Sequence, residues 1–182
     1  MAERLGAIYG SNLWLEDADK IAASLPELGE LAGKSVLVTG AGGMICSAVI
    51  DVLLRYNESH SESIGIIAAG RSPARISERF GKFCDKDYFR FVQYDASRPE
   101  PMAVHADYII HGAGNAHPAA MSAEPVETMQ SNFLGINTFL NSAIDVGGGG
   151  AKKDCSTFPA VRSTAKGQRI IHSHSARTIT GM

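Results

Sequence analysis

Apolar residues along the chain fall into short continuous runs, separated by longer stretches in which they recur at helical spacing. Four runs predict β-strands: SVLVTG (residues 35–40), SIGIIAAG (63–70), FRFVQYD (89–95) and ADYIIHGAG (106–114). Residues 43–55 and the charged stretch 72–83 predict helices between the first three runs. Apolar strands that alternate with helices in this way predict an α/β fold, with a parallel sheet covered on both faces.

Two further helices are predicted outside this alternation. One lies within residues 1–34, a helical extension in which Pro26 breaks the pattern. Trp14 in this extension either packs it onto the body of the protein or stacks on a ligand. The other helix spans residues 124–145, and Pro125 suits its first turn. Its predicted apolar face consists of Val126, Met129, Phe133, Ile136, Leu140 and Ile144.

The composition indicates a soluble globular protein and argues against some classes of partner. The 182 residues are 45% hydrophobic and 20% charged. Because the net charge is −2 and no basic patch stands out, neither nucleic acid nor a membrane surface is an expected partner. Cys46, Cys84 and Cys155 have neither metal-ligand nor disulfide spacing, which favours a reducing, cytoplasmic location. No signal peptide, membrane span or metal site is expected.

The strongest chemical signal is VLVTGAGGMICSAVI, residues 36–50. A strand runs into glycines and out into a helix, so backbone amides and the helix N-terminus face the space above the turn, which suits a pyrophosphate. We expect Gly40 to form the tight turn and Gly43 to let the backbone approach the phosphates. Cys46 takes the third small position, so looser helix packing is expected without loss of the site. With right-handed crossovers, the pattern predicts a Rossmann-type doubly wound sheet of strand order 3-2-1-4.

Three motifs, TGAGGMI, YDAS and DYIIHGAGNAHP, resemble those of one enzyme family. They are similar to the extended short-chain dehydrogenase/reductases, specifically the NAD-dependent epimerase/dehydratases that act on nucleotide sugars, over residues 35–145. The family pattern T-G-x-x-G-x-x-G matches at Thr39, Gly40 and Gly43 and departs at Cys46. The resemblance implies that bound NAD(P) takes a hydride from a sugar carbon while a Tyr, its pKa lowered by a Lys, removes the hydroxyl proton.

The resemblance also implies a set of cofactor-binding residues. Those of the glycine loop would line the pyrophosphate, those after the third strand would meet the adenine, and those after the fourth would pass beneath a ribose. Alternative roles stay open: Asp95 as a turn cap, Asn132 as a solvated helix residue, and His111 as a core histidine instead of a catalytic one. The set is Gly40, Ala41, Gly42, Gly43, Met44, Ile45, Arg71, Asp95, Ala96, Gly112, Ala113, Gly114 and Asn132.

Arg71 bears on the choice between the two cofactors. The second strand ends in AAGRSPAR, which offers no acidic side chain to a ribose 2′-hydroxyl. Arg71 is placed where a guanidinium meets a 2′-phosphate or stacks on adenine. This favours NADP, but the sequence leaves the cofactor as NAD or NADP.

The segment after residue 146 departs from the pattern. The family has a fifth strand here, then a turn with a catalytic hydroxyl, the sequence VYG and a Tyr-x-x-x-Lys pair, whereas this chain has no Tyr after Tyr108. For one choice of codons, residues 154–166 read two bases later as LFYISSSEVYGK. We therefore expect residues 147–182 to be an irregular, out-of-frame tail that follows a frameshift near the glycine run. The alternative is a natural tail with its own role, in which His172 and His174 bind a metal.

The nucleotide sequence tests the frameshift, because an open second frame supports it and early stop codons in that frame contradict it.

The predicted domain organisation is a helical extension (1–34), an incomplete NAD(P)-binding domain (35–146) and the tail (147–182). The expected function is the cofactor-binding half of a nucleotide-sugar epimerase, dehydratase or decarboxylase, without turnover. The alternative is a non-catalytic NAD(P)-binding module with a regulatory or scaffolding role. Relatives dimerise through the helix at 124–145 and the next one, so an incomplete interface and no sharp dimer peak in light scattering are expected.

Overall fold

The computed structural model describes residues 11–98, 104, 106–114, 118–145, 153–156, 160–163 and 169–172. The first helix, α1, spans Asn12–Ser24, and a short 3₁₀ segment, Pro26–Leu31, leads to the sheet. The other elements are β1 Ser35–Thr39, α2 Met44–Ser59, β2 Gly65–Gly70, α3 Pro73–Phe80, β3 Phe89–Gln93, β4 Tyr108–His111, α4 Pro118–Ala123, α5 Pro125–Asp145, β5 Lys153–Ser156, β6 Ala160–Ser163 and β7 Arg169–His172. Within this described part, every helix is too short or too polar to cross a membrane.

Four parallel strands in the order β3-β2-β1-β4 form the body of the sheet and confirm the predicted order. β1 pairs with β2 along its whole length and with β4 from Val36 opposite Tyr108 to Thr39 opposite His111. Because the strands run in one direction, their carboxyl ends lie along the same edge of the sheet. In a doubly wound sheet this edge, on both sides of the central strand, is where ligands bind.

The sheet continues past β4 and differs here from the irregular tail that we expected. β7 pairs in parallel with β4, from Tyr108 opposite Arg169 to His111 opposite His172. β6 and β5 follow as antiparallel neighbours. The outer edge of β4 carries backbone N–H and C=O groups that a further strand can satisfy, and the β-branched residues of RIIH favour that pairing. The remaining residues of the expected tail lie outside the described ones.

Side chains of β1 alternate between two cores, one on each face of the sheet. Val36 and Val38 belong to the first core, which α2 and α3 cover, and Leu37 belongs to the second, to which α5 contributes Phe139. The first core also contains Ile50, Leu53, Leu54, Ile66, Ile76, Phe80 and Phe89, and the second contains Ile67, Tyr94 and Ile109. Coverage on both faces explains why the strands are apolar throughout.

Helix α1 is joined to the body through polar contacts with α2 and α3. Trp14 Nε1 donates a hydrogen bond to Asp51 Oδ2 on α2 at 2.7 Å. The same carboxylate oxygen accepts a hydrogen bond from the Arg79 guanidinium on α3, which lies 5.7 Å from the centre of the Trp14 ring. Arg55 of α2 forms a second ion pair with Asp19 of α1 at 2.6 Å. Of the two roles left open for Trp14, the structure shows the packing role.

Helix α5 faces the sheet with the opposite side from the one predicted. Val126, Met129 and Phe133 are 60%, 66% and 68% exposed, so the prediction that they form the buried face is wrong. The buried side of the helix carries Thr128, Ser131, Gly135 and Phe139, whereas the side chains of Leu140 and Ile144 lie outside the described residues. The reason is steric: a Cβ at Gly135 would lie 2.8 Å from His111 Cε1, so only a glycine-bearing side of α5 can approach β4 this closely.

Candidate functional site

The loop between β1 and α2 begins with a glycine that cannot be replaced without strain. Gly40 has a φ of +71°, in the left-handed region that favours glycine. A Cβ at this position would lie 2.6 Å from the carbonyl oxygen of Gly112, which belongs to the loop after β4. Gly40 therefore turns the chain and also lets the two loops pass each other in backbone contact.

Gly43 ends this loop and is the N-cap residue of α2. Its N–H donates a hydrogen bond to the carbonyl oxygen of Gly40 at 2.8 Å. Gly43 itself is exposed, so the first turn of α2 opens toward solvent. The first amide groups of a helix have no partner inside it and carry the positive end of the helix dipole, which suits an anion. Cys46, one turn further on, is only 4% exposed and packs in the first core, where burial raises the pKa of its thiol.

A cavity of about 510 Å³ lies over the carboxyl ends of the four parallel strands. It brings together residues that come from four separate loops of the sequence. The predicted residues that line it are Gly40, Gly42, Gly43, Arg71, Asp95, Ala96, Gly112, Ala113 and Gly114. Four other predicted residues are not among the described residues that line it: Ala41 is fully buried, Met44 and Ile45 are 74% and 61% exposed, and Asn132 lies behind Gly114.

Several lining residues were missed by the sequence analysis. They are Gly70, Ser72, Arg75, Ile76, Tyr94, Ser97, Glu127 and Ser131. Ser72 and Arg75 belong to the start of α3, directly after β2. This position could have identified them from the sequence, because the helix begins at the ligand-binding edge of the sheet. Glu127 and Ser131 are one turn apart on α5 and point to the same side of it. They were missed because hydrophobic spacing predicts a different buried side for this helix.

Asp95 caps a turn and also lines the cavity. Its Oδ1 accepts hydrogen bonds from the Ser97 backbone N–H at 3.0 Å and from the Ser97 hydroxyl at 2.8 Å. Burial raises the pKa of Asp95, but the Ser97 hydrogen bonds and the charges of Arg71 and Arg98 outweigh it, so the pKa lies below its usual value. Asp95 is therefore a preformed, negatively charged group at this end of the cavity, and Arg71 is close enough to act on it.

Thr39 and His111 form a buried polar contact beneath the cavity. Thr39 Oγ1 accepts hydrogen bonds from the backbone N–H groups of Gly112 and Ala113, both at 3.2 Å. The Thr39 hydroxyl still has its one proton to donate, and it donates this proton to His111 Nδ1 at 2.8 Å. Since Nδ1 then accepts, the neutral His111 ring carries its own proton on Nε2. His111 is fully buried and is not among the described cavity residues, which agrees with a core histidine that fixes the loop after β4.

Tyr94 and Asn132 support the walls of the cavity. Tyr94 is 5% exposed, and burial, with a smaller effect of the Asp95 charge, raises the pKa of its hydroxyl to about 12. A phenol with that pKa is protonated at neutral pH and does not act as a base. A Cβ at Gly114 would lie 2.5 Å from Asn132 Oδ1, so the Asn132 side chain packs on the loop after β4. Asn132 therefore lies next to the loop after β4, and its role in cofactor binding stays a prediction.

A comparison of the sequence with protein-family models gives a result that agrees with this fold and with the glycine-lined cavity. The sequence model described as "NAD dependent epimerase/dehydratase family" matches residues 36–168, well over half of the chain. The chain belongs to this family. The match covers the glycine loop and the loops after β3 and β4, and it continues past residue 145, where we expected the resemblance to stop.

The chain is also similar, over part of their length, to several individual proteins. UDP-glucuronic acid decarboxylases 6 and 3 of Arabidopsis thaliana are 30% and 28% identical over 112 residues. Each alignment covers 62% of this chain and 31% of the relative, so the chain matches about a third of the length of these proteins. Among solved structures, Pen from Bacillus thuringiensis has a TM-score of 0.51 and 23% identity, over 62% of this chain and 34% of that one. This likeness supports the fold.

Proposed function

We propose that this chain is the cofactor-binding part of a nucleotide-sugar epimerase, dehydratase or decarboxylase. The observation that carries the proposal is the cavity at the carboxyl edge of the sheet, lined by backbone from the Gly40–Gly43 loop and from the loop after β4. Membership of the epimerase/dehydratase family supports a dinucleotide as the ligand. The names of the aligned relatives support a nucleotide sugar as the substrate of the whole protein.

The residues present fit a dinucleotide. Gly42 and Gly43 are exposed at the start of α2 and line the cavity. Because glycine has no side chain, a pyrophosphate can approach the backbone closely at these two positions. Asp95 and Ala96 would meet the adenine, and residues 112–114 would pass beneath the second ribose. When bound, the nicotinamide supplies hydride transfer. The chain itself would bind and orient this group, while Thr39 and His111 hold the loop after β4 in place.

We further propose that residues 1–182 alone bind the dinucleotide without turning over a nucleotide sugar. Oxidation of a sugar hydroxyl needs a base for its proton. In the sequence no Tyr follows Tyr108, and burial raises the pKa of Tyr94, which lines the cavity, to about 12, so its hydroxyl is a poor base. Incubation with UDP-glucuronic acid and either NAD or NADP should therefore give no product. A measurable rate of decarboxylation would contradict this part of the proposal.

Gly43→Val should abolish or strongly weaken dinucleotide binding without unfolding the chain. A Cβ at Gly43 would lie 3.1 Å from the Gly40 carbonyl oxygen, and its φ of −83° is accessible to any residue, so the strain is local. The valine methyl groups, however, would occupy the space through which phosphates reach the helix N-terminus. We expect affinity to fall by about 100-fold, the loss of several charge-assisted hydrogen bonds. Cofactor fluorescence measures this directly.

Gly81→Val is the matched control for that experiment. Gly81 lies after α3 in helical conformation, and a Cβ there would have only one contact, Ser77 Oγ at 3.9 Å. This variant should bind the dinucleotide as the parent chain does. If Gly43→Val also binds with parental affinity while its circular dichroism and melting curve are unchanged, the assignment of the cavity to a dinucleotide is wrong.

A further inference from the structure

We propose that Glu127 favours the oxidised form of the cofactor, because its carboxylate faces the end of the cavity that takes the positively charged nicotinamide ring. The inference rests on the proposed function, since it concerns the redox state of the dinucleotide that the same cavity binds. The cofactor-binding residues that the resemblance implies at this end are Gly112, Ala113, Gly114 and Asn132, and none of them carries a charge. A carboxylate here would therefore add a property that the family motifs do not specify.

The charged groups of the cavity lie on opposite sides of the central strand. Arg71 and Arg75 follow β2, at its end and in the first turn of α3, whereas Glu127 lies in the first turn of α5, after β4. Because β2 and β4 flank β1 on either side, the two arginines and Glu127 stand on opposite walls of the cavity. Asp95, the other charged residue of the lining, follows β3 and so lies on the same side as the arginines.

The side of α5 that carries Glu127 faces the cavity. Ser131, one helical turn further on, also lines the cavity, and its hydroxyl donates a hydrogen bond to the Thr128 carbonyl oxygen at 2.9 Å. The side chain of Asn132, the next residue, packs on Gly114 in the loop after β4. Ser131 is buried and Glu127 is exposed, so Glu127 stands at the open rim of this wall. It therefore lies at the end of the cavity that we assign to the second ribose and the nicotinamide.

The carboxylate of Glu127 is available to a ligand. The ion pairs within the described part of the chain use other acids, namely Asp17, Asp19, Asp51 and Glu58. The first turn of α5 is also a position where the helix dipole favours a negative charge. Glu127 thus presents to the cavity a negative charge that is not engaged in any of these ion pairs.

The two redox forms of the cofactor differ in charge at the nicotinamide. The oxidised ring carries one positive charge, and the reduced ring is neutral because the hydride that it has gained brings one negative charge. An opposite charge about 6 Å away in a partly solvated site changes a binding constant by about 3- to 10-fold. The adenine, the riboses and the pyrophosphate are the same in both forms. Contacts with those groups therefore do not distinguish the oxidised from the reduced cofactor.

The test compares the purified 182-residue chain with Glu127→Gln by isothermal titration calorimetry. The ligands are NAD⁺, NADH and ADP-ribose, which lacks the nicotinamide, and the series is repeated with NADP⁺ and NADPH. We expect Glu127→Gln to weaken binding of the oxidised cofactor by about 3- to 10-fold. Binding of the reduced cofactor and of ADP-ribose should change by less than about twofold.

Glu124→Gln is the matched control. Glu124 stands directly before α5, is exposed, and is not among the described residues that line the cavity. The substitution removes the same charge from the same end of the helix and should leave all the dissociation constants unchanged. Glu127→Asp keeps the charge and should retain most of the effect on the oxidised cofactor.

Ionic strength gives a second, independent measurement. Because salt screens charges at exposed sites, the loss of affinity for the oxidised cofactor in Glu127→Gln should be smaller at about 0.5 M than at about 0.02 M salt. An unchanged affinity for the oxidised cofactor, or an equal loss for both redox forms, would overturn the inference and leave the proposed function intact. An equal loss would indicate a contact with a ribose hydroxyl. Failure of the parent chain to bind any of these ligands would overturn the proposed function itself.

Discussion

Gly40→Ala should lower the free energy of unfolding by about 3–5 kcal/mol, the sum of a strained backbone and a steric overlap. The φ of +71° is unfavourable for alanine, and the added Cβ would lie 2.6 Å from the Gly112 oxygen and 2.9 Å from the Ala113 nitrogen. These are backbone atoms, which cannot rotate away as a side chain can. Since the same loops line the cavity, dinucleotide binding should be lost together with stability. Urea denaturation, followed by circular dichroism, measures the change.

Gly70→Ala provides the comparison for this prediction. Gly70 also lines the cavity, but a Cβ there would have no atom within 4 Å. Its stability should stay within about 0.5 kcal/mol of the parent, as for most substitutions away from packed or strained positions. If Gly40→Ala were as stable as Gly70→Ala, the close approach of the two loops would not exist in solution.

Asp51→Ala should cost about 3 kcal/mol of stability, because it removes the carboxylate that pairs with the largely buried Arg79 side chain. The side chains of Arg79 and Asp51 are only 8% and 16% exposed. Burial raises the pKa of Asp51, while the charge of Arg79 and hydrogen bonds from Trp14 and Arg79 lower it, and burial prevails. The attraction between Asp51 and Arg79 therefore does little more than offset the cost of burying the carboxylate. The expected loss of stability arises because the Arg79 guanidinium stays buried after the Asp51 carboxylate is removed.

Asp19→Ala is the matched control, since it breaks the more exposed ion pair that joins α1 to α2. Asp19 and Arg55 are 46% and 27% exposed, so this substitution should cost no more than about 1 kcal/mol. Trp14 is the single tryptophan, and its emission reports on α1. It should shift to longer wavelength in Asp51→Ala, because the indole loses its hydrogen bond to the Asp51 carboxylate, and stay unchanged in Asp19→Ala. Equal stability losses in both variants would contradict the buried network.

The strands and the glycine loop were predictable because their signals are local. SVLVTG is apolar on both faces, as a central parallel strand must be, and Gly40 precedes a helix in the way a phosphate-binding turn requires. The direction of the crossovers then determines that the loops after β1, β2, β3 and β4 meet at one edge. Asp95 and Gly112 were assigned to the same site by the resemblance to the epimerase/dehydratases, and Arg71 by its position after the second strand.

The rotation of the helices about their axes was not predictable in the same way. Hydrophobic spacing placed Val126, Met129 and Phe133 on the buried side of α5, but the helix approaches β4 through Gly135, where a side chain would collide with His111. Gly135 permits this close approach, and in the resulting orientation of α5 Val126, Met129 and Phe133 are exposed. Glu127 and Ser131 enter the cavity as a result. The pairing of Asp51 with both Trp14 and Arg79 joins three distant segments and has no sequence pattern.

The central position of β1 also bears on the rate of folding. The hydrogen bonds between Ser35 and Asp107 beside the β1–β4 pair join residues 72 positions apart, so a long loop must close before that pair can form. β5, β6 and β7 are consecutive antiparallel neighbours and need only short loops to form. They join the sheet through β4 alone, and therefore cannot dock before β4 does. Closure between β1 and β4 is expected to limit the rate at which the whole sheet assembles.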